Sequence, residues 1–132
     1  MVAPPLVEVK EQLPLEPSAA RRARLLLEPF RDLLPEDAFD ALRLLSSELV
    51  ANCVQHGGGQ GEITVDVRWL EDHVRIRVGC ATGAVRPAIV DPGYRHGGGG
   101  LGLRIVDRVA REWGVEEEGA TTWVWAAIAL EP

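Results

Sequence analysis

The sequence predicts an α+β fold, a two-layer sandwich with helices on one face of a mainly antiparallel sheet. Residues 18–56 carry apolar side chains at helical spacing, and residues 62–78 switch to strict alternation. A further helix and a closing strand follow a glycine-rich stretch. Consecutive alternating strands pair as hairpins, and a sheet of that kind buries one face under helices and leaves the other to solvent. A chain of 132 residues is long enough to close one layered core, so one domain is expected.

Residues 1–17 contain Pro4, Pro5, Pro14 and Pro17, which rule out a long helix but leave room for a short edge strand around Leu6, Val7 and Val9. A first helix begins near Ser18, a residue suited to N-capping. It carries Ala19, Ala23, Leu26, Phe30 and Leu33 on one side, with a kink expected at Pro29. A second helix opens at Pro35 and Glu36 and continues to about His56, where Gly57 to Gly59 end it. Ile63, Val65, Val67 and Trp69 then alternate with polar residues, and after a short break Val74, Ile76 and Val78 do the same, which predicts a hairpin. From Gly79 to Gly100 no period is sustained. A long loop is expected there, and loops of that length in small domains usually carry function. A third helix is expected from Leu101 to about Trp113, with Ile105, Val106 and Val109 on its apolar side. The acidic run Glu116–Glu118 reads as a solvated strand end or turn, and a last strand follows Gly119 from Thr121 to Leu130.

The formal net charge of −6 argues against nucleic acid as a partner, because phosphate-backbone binding draws on a basic surface. Two cysteines, Cys53 and Cys80, make neither a disulfide framework nor a metal-ligand spacing, so a reducing compartment is expected. With no basic leader and no long apolar run, the expectation is a soluble, cytoplasmic protein without a membrane segment. His56, His73 and His96 are too scattered for a metal site, and the four tryptophans read as core or sheet-face residues.

Two stretches carry chemistry. In the second helix Phe39, Leu42, Leu45, Leu49 and Cys53 trace an apolar stripe, and Glu48 and Asn52, four apart, share the flank beside it. Alone, the pair fits an ordinary solvated flank. Its functional reading is a carboxylate that takes a proton and an amide oxygen that holds a hard cation such as Mg²⁺. In "RHGGGGLGLRIVDRVA", Arg95 to Ala110, a glycine run leads into a helix with Gly102 in its first turn. Such a junction is either a flexible linker or a phosphate cradle built from unsatisfied N–H groups at a helix N-terminus. Gly102 costs the helix up to about 1 kcal/mol relative to Ala, which close backbone approach would explain. No Lys-Ser or Lys-Thr pair follows, so this is not a Walker A loop.

In combination, "SELVANCVQHG", a hairpin, "GGGGLGL" before a helix, "EWGV" and a final strand resemble the GHKL ATPase superfamily, and within it the small anti-sigma-factor serine kinases. The resemblance covers residues 18–130. It implies that residues 18–132 are a histidine-kinase-like ATPase domain and that residues 1–17 extend it. It implies that Glu48 is the general base and that Asn52 ligates the Mg²⁺ bridging the phosphates of ATP. Gly98, Gly100, Leu101, Gly102 and Leu103 then correspond to the lid end that folds over those phosphates, and Thr121 or Thr122 to a threonine at the start of the last strand. The partners implied are a sigma factor and its antagonist, an anti-anti-sigma protein, and members of this type are often dimers. No phosphoacceptor-histidine segment precedes the domain, so a sensor-kinase core is not the expected whole.

One element departs from the pattern. Where the family has an Asp that accepts a hydrogen bond from the adenine amino group, this chain has Cys80, and of the nearby loop glycines only Gly83 corresponds. A thiol is a poor acceptor, and losing a charge-assisted hydrogen bond costs about 1.5–3 kcal/mol, or about one to two decades in affinity. Two functions are therefore expected in competition. One is an ATP-dependent kinase of an antagonist protein. The other is a degenerate domain that binds ATP weakly or not at all and acts by capturing protein partners.

Overall fold

In the computed structural model, residues 7–56, 61–81 and 101–130 are described. The strands are β1 (Val7–Pro14), β2 (Glu62–Trp69), β3 (His73–Ala81), β4 (Glu112–Glu118) and β5 (Thr121–Ala129). The helices are α1 (Ala19–Leu26), α2 (Glu36–His56) and α3 (Leu101–Val109), with a 3₁₀ turn at Glu28–Phe30. The strands make one five-stranded sheet in the order β1-β2-β3-β5-β4, and every pairing is antiparallel.

Alternation fixes which face is buried. Val65 stands opposite Val78 and Val67 opposite Ile76, while Ile76 and Val78 meet Ala126 and Val124 on the other side. These side chains form an apolar floor across the three central strands, all of it in the core. On it lies α2, whose Phe39, Leu42, Leu45, Leu49 and Cys53 are buried as their spacing requires. Leu42, Leu45 and Ile76 lose essentially all solvent contact, and each such burial is worth about 1.5–3 kcal/mol. β1 pairs with β2 along its whole length, and Leu13 and Leu15 reach the core.

The first helix breaks earlier than its apolar spacing indicated. Pro29 cannot continue an α-helix, and the chain tightens into the 3₁₀ turn, which advances the phase. Leu27, Phe30 and Leu34 are therefore buried, while Leu33, expected in the core, is 44% exposed. Ser18 does not cap: it already has helical dihedrals, and its hydroxyl donates to Glu16 Oε1 at 3.3 Å.

A second correction concerns the third helix, which ends at Val109 and not near Trp113. The amide of Ala110 closes the last turn on the Val106 carbonyl, and the next amide, of Arg111, already donates to Ala127 in β5. Trp113 and the acidic run thus belong to β4, an edge strand joined to β5 through Gly119 at φ 58°. The stretch expected to be loop from Gly79 onward starts as strand, since Gly79, Cys80 and Ala81 pair with Trp123, Thr122 and Thr121.

The helix-free face is built from charge and aromatic rings. Arg77 stacks on Trp123, 4.0 Å from its centroid, and Arg75 on Trp125 at 4.7 Å. Asp66, only 1% exposed, receives Arg77 Nε at 3.0 Å and lies 3.4 Å from Arg68 Nη2. The tryptophan rings lie so close to the backbone that a Cβ on Gly79 would sit 2.8 Å from the Trp123 ring, and one on Gly114 would sit 3.0 Å from Trp125. These two strand positions are glycine because a ring occupies the side-chain space.

Candidate functional site

The site starts from the C-terminal half of α2. Pro35, Glu36 and Asp37 start this helix well: the Phe39 amide bonds the Pro35 carbonyl, and two carboxylates sit where the helix dipole favours negative charge. The helix then runs 21 residues without a break. Glu48 and Asn52 are one turn apart on the flank beside the buried stripe, Glu48 half-buried and Asn52 only 8% exposed. The ends of that flank, Leu44 and Gln55, are exposed, so the flank closes toward its middle. α2 packs against β3, β5 and α3.

Asn52 is the polar group that calls for explanation. Its Nδ2 is buried and has no hydrogen-bond partner among the described residues. Leaving an amide group in that state costs about 1–3 kcal/mol, so native proteins seldom keep one without a use. Rotation of the amide by half a turn exchanges its oxygen and nitrogen in that position. The unpartnered end can therefore offer N–H to an anion or, when rotated, an oxygen to a cation.

Cys80 and Thr122 are neighbours on the helix-facing side of the sheet. In β3 the inward residues are Val74, Ile76 and Val78, and Cys80 continues that parity; it is 4% exposed. Thr122 is its direct partner across the β3–β5 ladder and is fully buried. Thr121 has the opposite parity, its Cγ2 lying 2.9 Å from where a Cβ on Gly79 would project. Of the two threonines the resemblance allows, Thr122 is the one on the helix side.

Leu101 and Gly102 open α3, whose first N–H groups, like those of any helix, lack partners within it. Val106 anchors this short helix in the core. Gly83, Gly98 and Gly100 lie outside the described residues. Among the described residues, no three His, Cys, Asp or Glu side chains gather as a metal-binding group. Two surface hollows, one lined by Arg24, Asp40, Arg43, Leu44 and Ser47 and the other around Pro35, Ala41 and Leu130, include none of Glu48, Asn52, Cys80 and Thr122. No helix among the described residues is long and apolar enough to cross a membrane.

The site contains one residue that the apolar pattern assigned only to packing. Cys53 directly follows Asn52, and it and Cys80 shift one another's ionisation. The neighbouring Cys53 thiol holds the Cys80 thiol below the usual range. The same contact, together with burial, pushes Cys53 well above it. Helical phase and strand parity each turn a cysteine inward, but only the packing of α2 on β3 brings the two together.

Among curated proteins none matches this chain. Solved structures do share its fold. One is the crystal structure of the RsbU and RsbW domains of Rv1364c from Mycobacterium tuberculosis, with a TM-score of 0.69 at 19% identity over 97% of this chain. The chain spans about a third, 34%, of the length of that protein chain. Residues 38–131, from the first turn of α2 through β5, match the family of histidine kinase-, DNA gyrase B- and HSP90-like ATPases. The Glu48–Asn52 helix, the antiparallel sheet under it and the glycine-led α3 are thus parts of one known architecture, and the chain belongs to that GHKL ATPase family.

Proposed function

We propose that this domain binds Mg²⁺-ATP between α2 and the segment leading into α3, and transfers the γ-phosphoryl group to a serine of an antagonist protein in a circuit that controls a sigma factor. The observation that carries the reading is the buried amide of Asn52, whose Nδ2 has no partner among the described residues, one turn from Glu48. Mg²⁺ keeps several waters and is usually held by one or two protein oxygens together with the phosphates, so a single amide oxygen suits it. When bound, the ion neutralises charge on the transferring group. Asn52 would fix its place, the amides opening α3 would hold phosphate oxygens, and Glu48 would accept the proton of the incoming hydroxyl. Half-burial leaves Glu48 reachable from outside, as a base facing a protein substrate must be.

One observation favours the alternative, a domain that keeps the fold, binds ATP weakly and works by protein capture. The family resemblance sets Cys80, a buried thiol and so a poor acceptor, where the family has the Asp that accepts from the adenine amino group. Thermal unfolding with increasing Mg²⁺-ATP separates the two readings, because a ligand of the folded state alone must raise the midpoint. We expect a rise, and expect Glu48→Ala to keep that rise while losing phosphoryl transfer to the antagonist. A midpoint unmoved at saturating ATP would leave the capture reading standing.

A further inference from the structure

Three large apolar side chains stand exposed among the described residues, Leu25, Leu33 and Leu44, and all three lie on α1, on α2 or in the connection between them. The same layer departs from the charge of the whole chain, which is formally −6. α1 carries Arg21, Arg22 and Arg24 and no acid. Glu28, just beyond it, is already engaged by Arg31 through two hydrogen bonds of 2.9 and 2.8 Å.

Between the two helices lies a hollow of about 330 Å³, lined by Arg24, Asp40, Arg43, Leu44 and Ser47. Arg24 reaches from α1 to α2 and donates to Ser47 Oγ at 3.0 Å, which uses one of the five N–H donors of its guanidinium. On the helix-free face Arg68, Arg75 and Arg77 each meet a carboxylate. Among the described residues neither Arg24 nor Arg43 makes a salt bridge. Asp40 is the one acid of the lining, so the hollow is net positive. Leu44, 39% exposed, forms part of its wall, and Leu25, 61% exposed, directly follows Arg24.

We propose that this two-helix face docks an acidic amphipathic helix of a partner protein. One carboxylate of that helix enters the hollow between Arg24 and Arg43, and its leucine-like side chains cover Leu44 and Leu25. Charge complementarity argues for this occupant: an acidic segment is drawn to a positive hollow and repelled by the rest of a negative chain. The hollow is at the small end of ligand pockets, which run from about 300 to 1,000 Å³, so it has room for one or two side chains. A second copy related by a twofold axis would set these arginines against themselves. A lipid surface would leave the hollow unfilled and bring Asp40 against phosphate.

The test uses the full chain and a fluorescein-labelled peptide, acetylated and amidated, made of repeats of Leu-Glu-Glu-Leu-Ala-Glu-Ala. A second peptide has Lys for every Glu, and a third has Ser for every Leu. In fluorescence anisotropy the first should saturate, the other two should bind at least about tenfold more weakly, and added salt should weaken the first. Arg24→Glu and Arg43→Glu should each lower its affinity by about tenfold or more, and Leu44→Ser by about threefold or more. Arg111→Glu reverses an exposed charge at the junction of α3 and β4 and should change affinity by about twofold at most. Far-UV circular dichroism checks that each variant is folded. Arg43 is exposed, so Arg43→Glu decides the matter even if Arg24→Glu does not fold. No saturation by the first peptide, equal binding of the Lys peptide, or an equal loss in Arg111→Glu would overturn the proposal. Arg43-dependent sedimentation with phosphatidylglycerol vesicles would assign the face to a bilayer instead, and a dimer abolished by Arg43→Glu would assign it to a second copy. No step uses nucleotide, so failure here is separate from failure of the ATP reading.

Discussion

Gly79→Ala measures how tightly the helix-free face is packed at the approach to Cys80. The added methyl would lie 2.8 Å and 2.9 Å from two atoms of the Trp123 ring and 2.9 Å from Thr121 Cγ2. Carbon atoms meet comfortably at about 3.5–4.0 Å, so the ring must move by more than half an ångström. Trp123 is 7% exposed and stacked under Arg77, which itself holds buried Asp66 at 3.0 Å, so the ring cannot turn aside without disturbing both. Overpacking of this kind costs about 1–3 kcal/mol. Removing a glycine's freedom from the unfolded chain returns about 0.4–1 kcal/mol. The net expectation is a loss of about 1–2 kcal/mol, which for a chain of this size lowers the unfolding midpoint by roughly 3–12 °C. Far-UV circular dichroism during heating measures it without relying on the tryptophans being altered. Gly114→Ala should cost less, because its contacts begin at 3.0 Å and it lies on an edge strand against a half-buried ring. In a Trp123→Val background the Gly79→Ala penalty should fall by about half or more. A neutral Gly79→Ala variant, or an equal penalty in both backgrounds, would show that the ring does not set this position.

Three further outcomes are expected. Cys80→Asp should tighten adenine-nucleotide binding by about one to two decades, since a carboxylate accepts where a thiol barely does, and calorimetry giving weaker binding by a folded variant would count against Cys80 lying at the adenine position. Asp66→Ala should destabilise by about 2 kcal/mol with little dependence on salt, because it removes a buried acceptor of Arg77 and not a surface pair; a change near zero in urea titration would contradict this. As pH rises, a small neutral alkylating reagent should modify Cys80 before Cys53, and Cys53→Ala should move the Cys80 profile to higher pH by removing the S–H that stabilises its thiolate; mass mapping that finds Cys53 modified first would refute the assignment.

Much of the fold was legible because it rests on local period. The span of α2, the β2–β3 hairpin and the inward sets of both follow from spacings of 3.6 and 2 that any reader of the chain can count. Where that reading failed, a local pattern was ambiguous: Trp113 keeps helical phase with Val106 and Val109, yet pairing with β5 claims it for a strand. Leu33 lost its place because a 3₁₀ turn changes phase within three residues.

The sequence alone determined that Glu48 and Asn52 share one side of a helix, since the helical repeat makes positions four apart neighbours whatever surrounds them. Tertiary structure decided the rest. That Asn52 Nδ2 is buried with no partner among the described residues, that Thr122 and not Thr121 faces the helices, and that Cys53 and Cys80 are both buried in one core are consequences of how α2 settles on β3 and β5. The physical reason is range: torsional and periodic preferences act within a few residues, whereas contact between a helix and a strand more than twenty residues apart is fixed only when the whole apolar floor packs at once.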